Sequence, residues 1–540
     1  MDVISALGHI AKDFPDKIGL RSCKRLFGYV LGYSEKTFKA MDYGVDLLAT
    51  YLFMHQVSRD KKVLIMLAPG EDLLMTVFAM LRLGAIPVII DPGMGFRNFI
   101  KCARNTKPEI FIGGPGAWLI YRFLKSFVHF KSAVFLSPWL KDKLLKRNFV
   151  CRSIPKQDKN EIAAVLFTSG STGHPKGAMY TYGEFNDQID ALKATFDIQP
   201  GEVDLPLLPV FSLYNPALGM TTIVPEMNPA HPSTLDPEKI ARAIIKNKVT
   251  NSFGSPRLWT KIVDYCEKKS VVFPSVKRVF LAGAPVHPLL LKRVQALLPN
   301  GQAFTPYGAT EALPVAYISA QEVLEDTYKK TLQGYGTCVG HAIDGVKIRI
   351  IPIVDGVLEQ LPSELQPGEI GEIVVQASYI SKQYLNDEAA TAKAKIRDEQ
   401  GFIWHRMGDL GYKDAQDRLW FCGRKIERVE AFCGVFYTDC CEAIFNAHEA
   451  VFRSALIAYR VGEEIVPAIV IESKEKLSAQ EQVKLFNELR ALAKRYKATE
   501  AIQHFCIYKN FPVDVRHNAK IHRLTLMRYF QKHPSKVSKI

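Results

Sequence analysis

The 540-residue sequence predicts an α/β protein: a large, multi-subdomain N-terminal domain with parallel-rich sheets, then a small, mobile α+β C-terminal domain. The length exceeds what one ordinary core can organise. The first part alternates short apolar runs with stretches of helical spacing, the pattern of parallel strands joined by crossover helices. The texture turns β-rich from about Gly336 and changes again after Gly423. These shifts divide the chain into 1–423 and 424–540, with a hinge at about 424–428.

The clearest unit spans residues 62–90. "KVLIMLA" suits a buried strand, "GEDLLMTVFAMLRLGA" has helical spacing and ends in Gly84, and "IPVIID" is the next strand. "PEIFIGG" (108–114), "SAVFLS" (132–137), "AAVLFTSG" (163–170), "VTNSFGS" (249–255) and "VKRVFLAGAP" (276–285) continue the pattern. Each ends in loop formers, and ligands of open α/β sheets gather at such carboxyl ends. Residues 116–130, "GAWLIYRFLKSFVHF", are apolar, aromatic and basic. Their spacing predicts a core helix, with an interfacial membrane helix as the alternative. "GVKIRIIPI" and "GEIGEIVV" carry the β-rich part. Beyond it, "RSALIAYRVGEEIVPAIVIES" predicts a hairpin turning near Gly462. "SAQEQVKLFNELRALAKRYK" predicts an amphipathic helix capped by Ser478 and Glu481, with Val483, Phe486, Leu489, Leu492 and Tyr496 as its core stripe.

Composition narrows the function. With 48% apolar and 23% charged residues the chain folds rather than staying disordered. A net charge of +15 admits nucleic acid, membrane surfaces or anionic substrates as partners. No run of consecutive Lys and Arg resembles a nucleic-acid tract, so no nucleic acid is expected. The ten cysteines are irregularly spaced and form no C-x-x-C, which predicts free thiols in a reducing cytoplasm rather than zinc or disulfides. The N-terminus lacks the pattern of a secretory signal, and no apolar run has the ~20 residues of a spanning helix. The last three residues, Ser538, Lys539 and Ile540, resemble the peroxisomal S-K-L address only loosely. A cytoplasmic protein is expected, with weak, peripheral membrane association compatible with the basic stretch from Arg490.

The stretch "LFTSGSTGHPKGAMYT" (166–181) follows an apolar run and looks like a phosphate cradle. It is not a Walker A loop, because Pro175 stands where the second glycine belongs and Gly177 where the hydroxyl belongs. The physics still favours an anion. Gly170 and Gly173 let backbone N–H groups converge, Thr168, Ser169, Ser171 and Thr172 add hydroxyl donors, and Lys176 adds full charge.

"FTSGSTGHPKG" resembles the signature of the acyl-adenylate-forming superfamily, which includes acyl-CoA synthetases, luciferases and peptide-synthetase adenylation domains. Further motifs follow in that family's order and cover nearly the whole chain. "AGAP", with Gly283, Ala284 and Pro285, resembles the adenine-pocket turn. "YGATE" resembles the second core motif: there Tyr307, followed by Gly308, stacks on adenine, Thr310 meets the α-phosphate and Glu311 binds Mg²⁺. "GEIGEIVV" matches a structural motif. In "MGDLGY", Asp409 takes the ribose hydroxyls by resemblance; in "GRK", Arg424 stands at the nucleotide and the hinge. In "AKIHR", Lys520 is the mobile-domain lysine that reaches the reacting carboxylate and α-phosphate. The implied cofactors are ATP and Mg²⁺.

"VIIDPGMG", "NPALGMTTIVPEMNP", "YGATEALPVA", "WHRMGDLGY" and "FPVDVRHNAKIHRL" resemble more specifically the β-lactone synthetases of long-chain olefin biosynthesis. That resemblance implies a long-chain 2-alkyl-3-hydroxy fatty acid as substrate and other enzymes of an olefin pathway as partners. The alternative is a fatty-acyl-CoA or acyl-carrier-protein ligase. By resemblance "FSLYNPALGM" lines the acyl site. A base near the β-hydroxyl aids ring closure, and His405 and His517, inside the subfamily-like motifs, are its candidates. At the hinge, Ile426 replaces a usual Asp or Lys and Gly434 lies one residue late, which suggests that the second half-reaction does without the large rotation that relatives use to admit CoA.

Overall fold

The apolar runs of the first 170 residues assemble into one parallel sheet. The computed structural model describes residues 2–26, 29–90, 94–137, 157–168, 175–228, 231–513 and 521–537. In that sheet the strands lie in the order Ser132–Phe135, Ile110–Gly113, Lys62–Met66, Ile86–Ile89 and Ile162–Thr168, all parallel. Lys176–Thr181 adds to the last of these as an antiparallel partner. Adjacent residues Val63 and Leu64 are both fully buried, in different clusters. Both faces of the sheet are therefore covered, as a parallel sheet requires. The helix Glu71–Leu83 ends at Gly84, whose left-handed φ of 69° is the cap that a residue with a Cβ resists.

A longer sheet starts with the antiparallel pair Tyr29–Thr37 and Ile18–Leu26. It continues in parallel through Thr221–Ile223, Val203–Asp204, Asn251–Gly254, Arg278–Leu281 and Gln302–Ala309. It then turns antiparallel through Ala312–Ser319, Thr337–Ala342, Leu419–Arg424, Ile403–Lys413, Gly371–Gln376 and Lys347–Ile351. The change of texture read near Gly336 is this change from crossover helices to hairpins, although the first reversal already comes at Thr310 and Glu311.

The C-terminal part is a separate small α+β unit. Val451–Val461 and Glu464–Ser473 form the expected hairpin, turning at Gly462 with φ 62°. His504–Ile507 joins it in parallel. Helix Ala479–Ala493 covers one face and helix Arg523–Lys532 the other. The capping box of Ser478 and Glu481 is formed. The predicted stripe needs correction. The buried face is Leu485, Leu489 and Ala493, with Phe486 and Leu492 at its margin and Val483 exposed. Steps of three from Val483 swing steadily off the face, whereas steps of four stay on it.

One further expectation changes. Residues 116–130 do not form a core helix. The helix is the short Trp118–Leu124, of which only Leu124 is buried. The sheet face beneath it is already filled by Phe99, Cys102 and Ala103 and by Val128 and Phe130. Within the stretch expected to line the acyl site lies Asn215. It is buried and holds the sheet: its Nδ2 donates to Asp204 Oδ2 at 2.8 Å and to Thr222 Oγ1 at 3.0 Å. Nearby, Tyr214 donates to Gln188 Oε1 at 2.8 Å, and Gln188 donates on to the Leu313 carbonyl. Where a hinge is expected, Ile426 is exposed in the single turn Lys425–Glu427, and Gly434 opens the strand Gly434–Phe436. Among the described residues no helix is long and apolar enough to cross a membrane.

Burial raises the Asp204 carboxyl to about 7. Its folded pKa exceeds the unfolded value, so its contribution is fully present below about pH 4 and is lost as pH rises through 7. Asp204→Asn removes this loss, and the variant gains on the wild type by on the order of 2 kcal/mol between pH 5 and pH 8. Thermal or urea unfolding of both proteins at the two pH values measures the gain; a pH-independent offset contradicts it.

Candidate active site

The hairpin that reverses the long sheet carries the first site residues. Strands Gln302–Ala309 and Ala312–Ser319 meet at Thr310 and Glu311. A Cβ on Gly308 would come within 2.6 Å of the Ala312 carbonyl oxygen, so the turn needs a residue without a side chain. The parallel neighbour Arg278–Leu281 leads into Gly283, Ala284 and Pro285 beside the strand of Tyr307. Gly283 takes a left-handed φ of 89° there.

Tyr307, Asp409 and Arg424 come together from three strands. Tyr307 Oη donates to Asp409 Oδ2 at 2.6 Å. Arg424 is the register partner of Asp409 across antiparallel strands and pairs through Nη1 with Oδ1 at 2.7 Å. Burial pushes the Asp409 carboxyl up, while Arg424 and Tyr307 hold it down. A carboxylate that is 3% exposed needs such a partner to stay ionised. Its Oδ1 otherwise has no hydrogen-bond partner among the described residues. Beside the Arg424 contact this oxygen keeps a lone pair that suits a hydroxyl donor.

Glu311 anchors a second group. It is 8% exposed, and its Oε1 accepts from Tyr384 Oη at 2.8 Å. Tyr384 is delivered by backbone pairing: Leu385 N–H donates to the Gly177 carbonyl at 2.8 Å, and Met179 N–H to the Gln383 carbonyl at 3.2 Å. The same pairing sets Lys176 Nζ 5.1 Å from the centre of the Tyr384 ring. Lys395 Nζ lies 5.9 Å from that ring and donates to the Ser381 carbonyl. Ser381 N–H in turn donates to the Glu311 carbonyl at 3.0 Å. The Thr310 carbonyl accepts from the buried Tyr180 hydroxyl. Burial pushes the Lys395 ammonium down to about 7, opposed by Glu311 and Glu184 and reinforced by Lys176. His405 is the register partner of Lys395 and is buried, with Nδ1 3.2 Å from the Ala394 carbonyl. Burial, then the Lys395 charge, pushes its imidazole well below the usual histidine range.

Strands Ile162–Thr168 and Lys176–Thr181 bring Thr168 opposite Lys176, the two ends of the glycine-rich loop. The loop residues Ser169, Gly170, Ser171, Thr172 and Gly173 lie outside the described residues, as do His517 and Lys520. The structure thus gathers Lys176, Thr310, Glu311 and His405 in one cluster, and Tyr307, Asp409 and Arg424 in another. Tyr384 and Lys395 were missed in the sequence. "SKQYLND" carries no recognised pattern, and "TAKAKIRD" reads as a helix end with solvent-facing lysines.

One oriented carboxylate beside two ammonium groups can take a polyanion with its metal. Mg²⁺ prefers one or two protein carboxylates and fills its remaining positions with phosphate and water. Glu311 fits that donor set as a single carboxylate with one oxygen oriented by Tyr384.

Comparison with known proteins agrees with this geometry. The family model described as AMP-binding enzyme matches residues 9–385. An olefin β-lactone synthetase of Xanthomonas campestris pv. campestris is 37% identical, the match covering 97% of this chain and 96% of the relative. One from Stenotrophomonas maltophilia is 38% identical over the same shares. The fold superposes on an amide bond synthetase from Marinactinospora thermotolerans with a TM-score of 0.79 at 17% identity, covering 98% of this chain and 100% of the other. It superposes on O-succinylbenzoate coenzyme A synthetase from Bacillus subtilis, solved with ATP and magnesium ion, with a TM-score of 0.77 at 19% identity, covering 97% and 99%. The chain belongs to the AMP-binding enzymes, the acyl-adenylate-forming ligases, and is similar over nearly its whole length to olefin β-lactone synthetases.

Proposed function

We propose that the chain uses ATP and Mg²⁺ to activate a long-chain 2-alkyl-3-hydroxy fatty acid and closes it to a β-lactone, releasing AMP and pyrophosphate. The observation that carries this reading is the likeness to olefin β-lactone synthetases along both whole chains. The polyanion-binding character of the Glu311 cluster supports the ATP-dependent half.

A carboxylate is a poor electrophile, so it is first converted to an acyl-AMP. A carboxylate oxygen attacks the α-phosphorus and the bond to pyrophosphate breaks. Two anions meet in that step, and positive charge must be in place beforehand. Mg²⁺ held at Glu311 would supply part of it at the phosphates. In this reading Tyr307 and the turn 283–285 take the adenine, and Asp409, held ionised by Arg424, takes the ribose hydroxyls. Thr310 meets the α-phosphate. Lys176 and the loop 168–173 hold pyrophosphate as it leaves. Tyr384 and Lys395 are positioning residues: one fixes a Glu311 oxygen by a hydrogen bond, and the other places an amine beside the same cluster. Residues 424–540 act as the lid that brings Lys520 to the reacting oxygens, turning about 424–428, while 1–423 hold the nucleotide and the acyl chain.

In the second step the β-hydroxyl oxygen attacks the acyl carbon, the bond to AMP breaks, and the hydroxyl proton passes to a base. Tethering the nucleophile replaces an external thiol and gains proximity against ring strain. His517 is the proton acceptor in this reading. His405 is enclosed and weakly basic, which suits a ring that packs the Lys395 strand better than one that takes a proton. Other enzymes of an olefin pathway would supply the acid and consume the lactone. Free thiols at the buried Cys102, Cys266, Cys338 and Cys506 fit a cytoplasmic setting.

Incubation with ATP, Mg²⁺ and a 2-alkyl-3-hydroxy acid, with and without CoA, separates the two ligase readings. Lactone formed without CoA is expected by mass spectrometry. A strict CoA requirement with a thioester product assigns the chain to the acyl-CoA ligases instead.

Glu311→Gln is expected to slow pyrophosphate release about 100-fold or more. Tyr384→Phe, which removes only the hydrogen bond to Glu311, slows it about 10-fold and raises the Mg²⁺ concentration for half-maximal rate. An unchanged Mg²⁺ dependence in Tyr384→Phe rules out its positioning role.

A further inference from the structure

The helices Phe96–Thr106 and Trp118–Leu124 each have two faces. Inward, Phe99, Cys102, Ala103 and Leu124 pack on the sheet. Outward, Phe96, Trp118, Leu119, Ile120 and Phe123 stay exposed, joined by Phe127, and Leu119 is 70% accessible. These side chains form one surface. The Phe96 and Phe123 ring centres are 5.1 Å apart, and those of Phe123 and Phe127 are 5.0 Å apart. The core of the domain is complete without them, so core packing does not account for their chemistry.

The charge around this surface has one sign. Residues 94–135 contain seven Lys or Arg and one acidic residue, Glu109, which is paired with Lys61 and Lys131. Arg97, Lys101 and Arg104 line the exposed side of the first helix. On the second, Arg122 lies 4.9 Å from the Trp118 ring centre, and Lys125 follows 5.6 Å from that of Tyr121. Aromatic and aliphatic tips interleaved with cations match a bilayer interface, where an anionic headgroup layer overlies apolar chains.

The location has consequences. The first helix follows strand Ile86–Ile89 and the second follows Ile110–Gly113. Both strands run parallel to Ile162–Thr168, whose end opens into the glycine-rich loop. Phe96 and Trp118, at the starts of the two helices, therefore flank the same carboxyl edge of the sheet as that loop.

We propose that this aromatic and cationic face docks on an anionic lipid surface. Other occupants suit it less. A second copy of the chain meeting it face to face would oppose like charges. The segment 138–156 of this chain, outside the described residues, carries six Lys or Arg and one Asp, and is of the same sign. Protein interfaces are depleted of charge at their centres, whereas here the cations interleave with the apolar side chains.

The test is sedimentation of the full-length protein with vesicles of phosphatidylcholine alone, or with about 30% phosphatidylglycerol. Binding to the anionic vesicles is expected to exceed binding to the neutral ones at least about 10-fold, and to weaken with added salt. Leu119→Gln/Phe123→Gln should reduce it about 10-fold, with circular dichroism and melting temperature unchanged. Arg97→Ala/Arg122→Ala/Lys125→Ala should flatten the salt dependence while leaving the apolar contribution. Equal binding by wild type and the double Gln variant overturns the proposal, as does no preference for anionic vesicles. So does a concentration-dependent dimer in ultracentrifugation that only the double Gln variant loses, because the occupant is then a second copy.

Discussion

The site depends on one short stretch of main-chain pairing between the two large sheets. Strand Lys176–Thr181 belongs to the first sheet, and residues 383–385 follow from the second. Their hydrogen bonds carry no side-chain specificity, yet they set which side chains meet. Without that register Tyr384 would not reach Glu311, and Lys176 would not stand over the Tyr384 ring. A one-residue slip would turn Tyr384 to the opposite face. The pairing joins the strand that ends the glycine-rich loop to the segment that supports the Glu311 hairpin.

Around that junction the protein buries charge instead of avoiding it. Glu184, Glu311 and His405 are all buried, and Lys395 is half-buried beside them. Burial alone neutralises isolated groups, and Lys395 and His405 show that pull in their lowered basicity. The carboxylates and ammonium groups offset one another only in part, because they are spread over four separate stretches of chain. A polyanion entering near Lys176 and Lys395 would meet charge that is already dehydrated, which strengthens the interaction. The Tyr307, Asp409 and Arg424 group works alike on a smaller scale: an ion pair on one oxygen and a hydroxyl on the other hold a buried carboxylate.

The outer surface shows the opposite use of apolar residues. The fold reading placed "GAWLIYRFLKSFVHF" in the core because its residue types are those of a core helix. Burial is a contest for limited space, and here Phe99, Val128 and Phe130 already occupy the sheet face. Side chains of identical chemistry are then left at the surface, where their meaning changes from packing to contact.

Local patterns were legible in the sequence because each is written in contiguous residues. Alternating apolar runs became the parallel strands, "RVGEE" became the hairpin turn, and Ser478 with Glu481 capped their helix. The motif residues Tyr307, Glu311, Asp409 and Arg424 were also readable, since each lies in a short recognisable stretch. Tertiary structure alone decided that Tyr384 holds Glu311 and that Lys395 stands beside the Tyr384 ring with a lowered pKa. It also decided that Asn215 ties Asp204 to the sheet. The physical reason is range. Helix and strand period, caps and turns depend on neighbours a few residues away, whereas the partner of Glu311 stands 73 residues along the chain and is chosen by sheet register.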